Sequence, residues 1–574
     1  MQFLNGYIGK YVRPFCLAVF FVLCETICDL LLPTIMSQII DIGVADKQID
    51  YVMYMGGLML CITALGAVAA SARNIISSHV SQKFGAELRF DLFKKIQHLS
   101  FSTIDTFERA SLVTRLTNDV TQVQNLVNGL MRIFIKAPLL CIGSLIMAIR
   151  LNVHLAVVLV VVVPVAGVLI VMNMKIGFPF FVRVQQALDQ VNSVMREYMS
   201  GIRAVKAFNR FDYEVEKFTV ANKELQSISV TAMRVMAVFS PGMMMIINFG
   251  IVAVLWLGGL RVNTGDMQAG QIIAFINYMT QMLFALMLIA SVFNTFVRAR
   301  ASAQRIGEVL SQASTMSWEK HLKQSTNIKG RVDFENVTFS YEGALGAPVI
   351  KHINLTCMPG ETVGIIGSTG SGKSSLVGLI PRFYDVTSGC LKVDGEDVRN
   401  IEPKKIREKI AVVPQKTVLF TGSVIDNIRW GKEDATMEEV ERVARIAQAH
   451  DFISGFSEGY QTQVGQGGVN FSGGQKQRIS IARALVKNPE ILILDDSTSA
   501  VDVETETKIK AALKKYAKDL TCIIIAQRIT SVIDATKIVV LDDGEIVGMG
   551  THEELLKDCQ VYQEIVKSQV GKEM

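Results

Sequence analysis

The chain has 574 residues, half of them hydrophobic, with a mean hydropathy of +0.34 and only 19% charged residues. A soluble domain carries about 25% charge, which argues against an all-soluble protein, while 12 prolines and 9 cysteines leave no place for a proline-rich fibre or a disulfide scaffold. The net charge of +5 is too mild to imply a nucleic-acid partner, so the question is where the positive residues lie.

A bilayer core about 30 Å thick needs about 20 mainly apolar residues of helix. Six stretches meet that requirement, near 14–40, 52–78, 133–152, 154–178, 236–260 and 271–297. The first is too long for a signal-peptide core and others follow it, so it reads as a span. Glu25 and Asp29 lie four apart on one face of this first helix. Charges inside spans are expensive and point to function. The pair reads either as a cation-attracting wall of a translocation cavity, and so as candidate substrate residues, or as an interhelical polar contact or a pair near the outer water-filled mouth. Lys136 sits near the start of the third stretch, and Met243-Met244-Met245 in the fifth offers either an adaptable cargo surface or ordinary packing.

Long polar helical stretches, roughly 80–132 and 179–235, separate the second span from the third and the fourth from the fifth. The first holds Lys83, Arg89, Lys94, Lys95, Arg109, Arg115 and Arg132; the second holds Arg183, Arg196, Arg203, Lys206, Arg210, Lys217, Lys223 and Arg234. The first outer loop instead has Asp41, Asp46, Lys47 and Asp50. This bias places both stretches and both termini in the cytoplasm of a multi-pass protein of the cell membrane. The cysteines have no paired zinc-ligand spacing and the histidines are scattered, so no metal cluster is expected from them.

Near residue 320 the pattern changes to short apolar runs alternating with Gly, Asp and Lys, as in α/β domains. This divides the chain into a membrane domain at 1–310, a polar linker at 311–330 and a second domain at 331–574. After the apolar run Glu361–Ile366 comes Gly367-Ser368-Thr369-Gly370-Ser371-Gly372-Lys373-Ser374-Ser375, the G-x-x-x-x-G-K-[ST] pattern between a strand and a helix. Its glycines let backbone N–H groups face phosphate, Lys373 reaches the terminal phosphates, and the Ser374 hydroxyl ligates Mg²⁺. A second strand, Glu490–Leu494, ends in Asp495-Asp496, which puts Asp495 beside that Mg²⁺. Between them, Ser472-Gly473-Gly474-Gln475 opens another helix and makes a second anion-binding terminus.

With these residues the chain resembles an ATP-binding-cassette exporter half-transporter along its whole length: six membrane helices with long cytoplasmic extensions, then a P-loop α/β nucleotide-binding domain. The resemblance implies that Tyr341 stacks on adenine, that Gln415 touches Mg²⁺ and that Ser499–Asp502 is the D-loop. It also implies that Leu112–Asp119 and Ser200–Phe208 hold the elements coupling the two domains. Besides Gln466, which stands before the signature where the family usually has Glu, two positions depart from the family pattern. Asp496 stands where a catalytic Glu is expected and is one methylene shorter; Gln527 stands where a switch His is expected and cannot become cationic. Both alter the same Walker site, whereas the signature Ser472–Gln475 is intact. The resemblance thus implies a heterodimer with a different, catalytically complete half-transporter, moving amphipathic drugs, lipids or peptides. The alternatives are a homodimer with two slow sites, an importer of a metal chelate built on the exporter fold, and a nucleotide-gated channel or regulator.

Overall fold

The computed structural model describes residues 5–312, 329–342, 347–516 and 520–570. The linker expected at 311–330 therefore lies almost wholly outside the described residues. The chain divides into two compact units, Met1–Gln97 with Ala110–Ser311, and His98–Arg109 with Gln312–Met574.

Among the described residues of the first unit, six segments are long and apolar enough to cross a membrane: Gly9–Val44, Ile49–Gln97, Ala110–Leu151, Ala156–Ala207, Phe211–Asn263 and Ala269–Ile289. The helix Ala156–Ala207 has 52 residues, about 78 Å at 1.5 Å per residue. That is more than twice the hydrocarbon thickness, so such helices run far beyond the bilayer. Leu60, Val160 and Trp256 face outward, because lipid solvates apolar side chains as well as a core does, while Phe275, Tyr278, Met279 and Leu283 are fully buried. The Tyr278 hydroxyl is satisfied within the bundle by the Leu30 carbonyl at 2.5 Å and by Thr34 at 2.7 Å. Met243 is buried in this packing, whereas Met244 and Met245 are exposed. Three π-helical turns, Ile39–Val44, Arg115–Asp119 and Leu130–Phe134, widen the helices locally.

The acids of the first span are paired. Glu25, 6% exposed, lies 2.8 Å from Arg73 and 2.5 Å from Lys136, and Lys136 also lies 2.9 Å from Asp29. The region 112–119, where coupling was expected, packs inside the membrane unit. Buried Asp119 accepts hydrogen bonds from Ser302 Oγ and Arg305 Nε, both at 2.8 Å, and Arg115 donates to the Arg305 carbonyl at 2.6 Å. The segment that associates with the second unit lies about ten residues earlier, at His98–Arg109. Its short helix Phe101–Asp105 is capped by Ser100, which accepts from Thr103 N. The Phe101 ring sits 4.8 Å from Phe383, Asp105 accepts from the Tyr384 hydroxyl at 2.7 Å, and Ser102 donates to Glu342. The other expected element ends its helix at Ala207 and turns through Asn209 at φ 50°, with Phe208 exposed.

The second unit contains the strands β1 (Val332–Phe339), β2 (Ile350–Cys357), β3 (Thr362–Gly367), β4 (Ser388–Val393), β5 (Glu396–Asp397), β6 (Ile410–Val413), β7 (Gly422–Ser423), β8 (Gln463–Val464), β9 (Ile491–Asp495), β10 (Thr521–Ile525), β11 (Lys537–Asp542) and β12 (Glu545–Gly550). The main sheet has the order β12-β11-β3-β10-β9-β6. It is parallel except for the β11–β12 pair. Near-continuous burial along β3, β9 and β10 marks strands covered on both faces. A second, antiparallel sheet has the order β2-β1-β4-β5. In an open parallel sheet, ligands bind beyond the carboxyl ends of the strands. Ile525 of β10 pairs with Asp495 of β9 on one side and with Ile365 of β3 on the other, so the P-loop, the Asp495-Asp496 pair and the switch residue Gln527 emerge from three adjacent strand ends.

Candidate functional site

The loop after β3 needs its glycines. Gly370 and Gly372 have φ of +88° and +94°, and a Cβ on Gly372 would lie 2.7 Å from Ile350 Cδ1. Ser368, Thr369 and Gly370 form the exposed rim, while Ser371 is buried beneath them. Lys373 opens the helix Lys373–Leu379, and its Nζ folds back to donate to the Gly367 and Ser368 carbonyls at 2.9 and 2.6 Å. Burial holds this ammonium below the usual lysine range, against the opposing pull of Asp495 and Asp496.

Ser374 Oγ donates to Asp495 Oδ1 at 3.1 Å. Burial raises the Asp495 carboxyl above its ordinary range, the Ser374 hydrogen bond lowers it again, and Asp496 adds to the rise. A hydroxyl and a carboxylate side by side, both hard oxygen donors, are the set that Mg²⁺ takes when phosphates complete its shell. On the other side of the loop, the Tyr341 hydroxyl shares a hydrogen bond with Ser375 Oγ at 2.9 Å. The Tyr341 ring is held edge-on by Phe339 at 4.8 Å and Tyr384 at 5.2 Å, which leaves a fixed aromatic surface for a base.

Asp496 has a left-handed backbone, φ 47°, locked by a hydrogen bond from its N–H to the Ile525 carbonyl at 3.0 Å. Its Oδ2 accepts from two amides, Gln527 Nε2 at 3.0 Å and Gln415 Nε2 at 3.3 Å. Burial raises this carboxyl too, and the Gln415 bond draws it back. Both altered positions, and Gln415, therefore meet at one oxygen. Two further residues carry no local sequence signal. Gln569, on the C-terminal helix Gln560–Val570, donates to the Gln527 carbonyl at 2.7 Å and accepts from Ile529 N at 2.8 Å, clamping the switch loop on both sides. Buried Gln477 donates to Ser499 Oγ at 3.1 Å and accepts from Ala500 N at 2.9 Å, tying the signature helix to the D-loop.

That helix, Gly473–Val486, begins with a reciprocal cap. Ser472 Oγ accepts from Gln475 N at 3.3 Å, and Gln475 Oε1 accepts from Ser472 N at 2.9 Å. Ser472 and Gly473 are exposed, and a Cβ on Gly474 would lie 2.8 Å from the Ala500 carbonyl, so glycine is required for the D-loop to approach.

Family models for the ABC transporter transmembrane region and for the ABC transporter match residues 15–286 and 350–499. An uncharacterized ABC transporter ATP-binding protein of Bacillus subtilis is 39% identical, over 98% of this chain and 98% of its own length. An uncharacterized ABC transporter ATP-binding protein of Mycobacterium tuberculosis is 40% identical, over 99% of this chain and 98% of its own. An ATP-dependent lipid A-core flippase of Syntrophus aciditrophicus is 34% identical, over 84% of this chain and 80% of its own. Among solved structures, a bacterial Atm1-family ABC exporter with ATP bound has the same fold, with a TM-score of 0.83 at 22% identity, covering 99% of this chain and 100% of the other.

Proposed function

This chain belongs to the ABC transporters, and we propose that it is one subunit of a heterodimeric exporter. In this reading its own Walker site binds ATP and hydrolyses it weakly, while its signature Ser472–Gln475 completes the active site of a different, catalytically complete half-transporter.

The observation that carries the reading is the environment of Asp496. A catalytic carboxylate at this position has to hold the attacking water against the terminal phosphate. Asp496 is one methylene short, and its Oδ2 is engaged by the amides of Gln415 and Gln527. Positioning is most of the catalysis in phosphoryl transfer, and a displacement near 1 Å costs about 10²-fold in rate. Gln527 donates to the same oxygen and has no cationic form with which to support the developing charge. The binding elements, by contrast, are complete. Tyr341 stacks on adenine, the loop Gly367–Ser375 wraps the phosphates, and Lys373 leaves the Gly367 and Ser368 carbonyls to meet them. Ser374, Asp495 and Gln415 would hold Mg²⁺, which supplies charge neutralisation across the terminal phosphates. The capped, exposed signature helix keeps its N–H groups and dipole directed outward, as a partner's nucleotide requires.

For cargo, the lipid A-core flippase relatives favour an amphipath over a small polar solute. The Glu25–Arg73–Lys136–Asp29 pairing supports the interhelical polar contact for Glu25 and Asp29 over a cation-attracting wall, because both acids already face cations. The protein then sits in the cell membrane with both termini cytoplasmic.

Purified alone, the chain is expected to bind ATP, to lose that binding in Lys373→Ala, and to turn ATP over at close to background rate. Vigorous turnover by the lone chain, abolished by Lys373→Ala, would overturn the weak-site reading and favour a homodimer.

A further inference from the structure

Three cations and two carboxylates meet within the first three spans. Glu25 and Asp29 are taken up by Arg73 and Lys136. Arg132, an electrostatic neighbour of Arg73, has no ion pair among the described residues, and its Nε is buried with no hydrogen-bond partner. The group therefore carries one positive charge in excess, and that charge has a place to act. Arg132 sits on the π-helical turn Leu130–Phe134 and lines a cleft of about 230 Å³ with Asn125, Asn128 and Thr295. No carboxylate lines this cleft among the described residues. Ile133 and Val292 form a wall shared with a second cleft of about 320 Å³, lined by Phe134, Ala137, Ile289 and Phe296 and almost purely apolar. A guanidinium with an unmet donor in a polar pocket, backed by an apolar slot, is complementary to a molecule with an anionic head on an apolar body. π-Helical turns are commonly kept at functional sites, because they cost regular helical bonding.

We propose that these two adjoining clefts recognise an anionic amphipath, with Arg132 and the two asparagines on the headgroup and Phe134 and Phe296 on the apolar part. The proposal rests on the exporter reading and narrows its cargo. The full chain in phosphatidylcholine nanodiscs, titrated with fluorescent dodecyl phosphate and the matching dodecyltrimethylammonium probe, tests it. The phosphate probe is expected to bind at least tenfold more tightly. Arg132→Gln is expected to weaken phosphate binding tenfold or more, with Arg132→Lys recovering much of it and nucleotide binding unchanged. Equal affinity for the two probes, or unchanged phosphate binding in Arg132→Gln, overturns the site. The wild-type comparison decides the matter even where a variant does not fold. Transport in inverted vesicles of the native membrane, where the partner half-transporter is present, compared with and without this chain, separates the two readings. Binding of the phosphate probe without ATP-driven movement sinks the exporter reading and leaves the site, whereas ATP-driven movement of the cationic probe alone sinks the site and leaves the exporter.

Discussion

At the scale of single residues, one carboxylate oxygen gathers both positions that depart from the family's Walker-site pattern. Asp496 Oδ2 is shared by Gln415 and Gln527, so the three side chains act as a unit. Asp496→Glu restores the missing methylene and is expected to raise phosphate release by the lone chain by about tenfold or more, and Asp496→Glu with Gln527→His by about 10²-fold. Side chains 3.0 Å apart couple, so the double variant should depart from the product of the two singles. These positions were legible in the sequence, because a carboxylate pair ending an apolar run and a residue just after another such run occupy fixed places at strand ends. Arg73 was not. It lies in a 49-residue helix with nothing local to mark it, and its meaning comes only from Glu25 beside it in the fold.

At the scale of elements, the switch loop is held by the last helix of the chain. Gln569 offers both halves of its amide to the backbone on either side of Arg528. Truncation to alanine would free the Gln527 carbonyl and the Ile529 N–H, and the loop that aims Gln527 at Asp496 would gain alternatives. Gln569→Ala, introduced beside Asp496→Glu and Gln527→His, is expected to lower kcat severalfold while the nucleotide Kd stays unchanged. A matching rise in Kd would show that the clamp supports binding instead. Helical spacing marks the helix carrying Gln569, but no local pattern pairs its amide with a loop 40 residues away. The docking helix Phe101–Asp105 escaped for a related reason. Five residues hold barely one turn and show no periodicity, so the neighbouring charged run at 112–119 drew the assignment, although its Arg115 and Asp119 are spent within the membrane unit.

At the scale of the whole molecule, the opening composition resolves into two parts with separate solvents. The apolar excess lies on six long helices and the Gly-rich alternation in a cassette whose sheet gathers three strand ends. The six spans were readable because length against bilayer thickness is a strong criterion; their extensions were readable only as polar helix, since nothing in a solvated face states how far it runs. One line of contacts crosses these scales. The Tyr341 ring abuts Tyr384 at 5.2 Å, and the Tyr384 hydroxyl donates to Asp105 in the segment that continues from the second span. Binding free energies linked through a shared element are reciprocal. A nucleotide on Tyr341, as proposed, and the chain segment on Tyr384 change each other's affinity by one common factor wherever the two are coupled. Phe101→Ala, which removes the ring packed against Phe383, is therefore expected to shift the nucleotide Kd severalfold without touching the nucleotide, as read by ATP titration of the full chain. An unchanged Kd would uncouple the two. With Tyr341 on adenine as proposed, the affinity of the cassette for ATP becomes a readout of how the segment His98–Arg109 packs within its own unit.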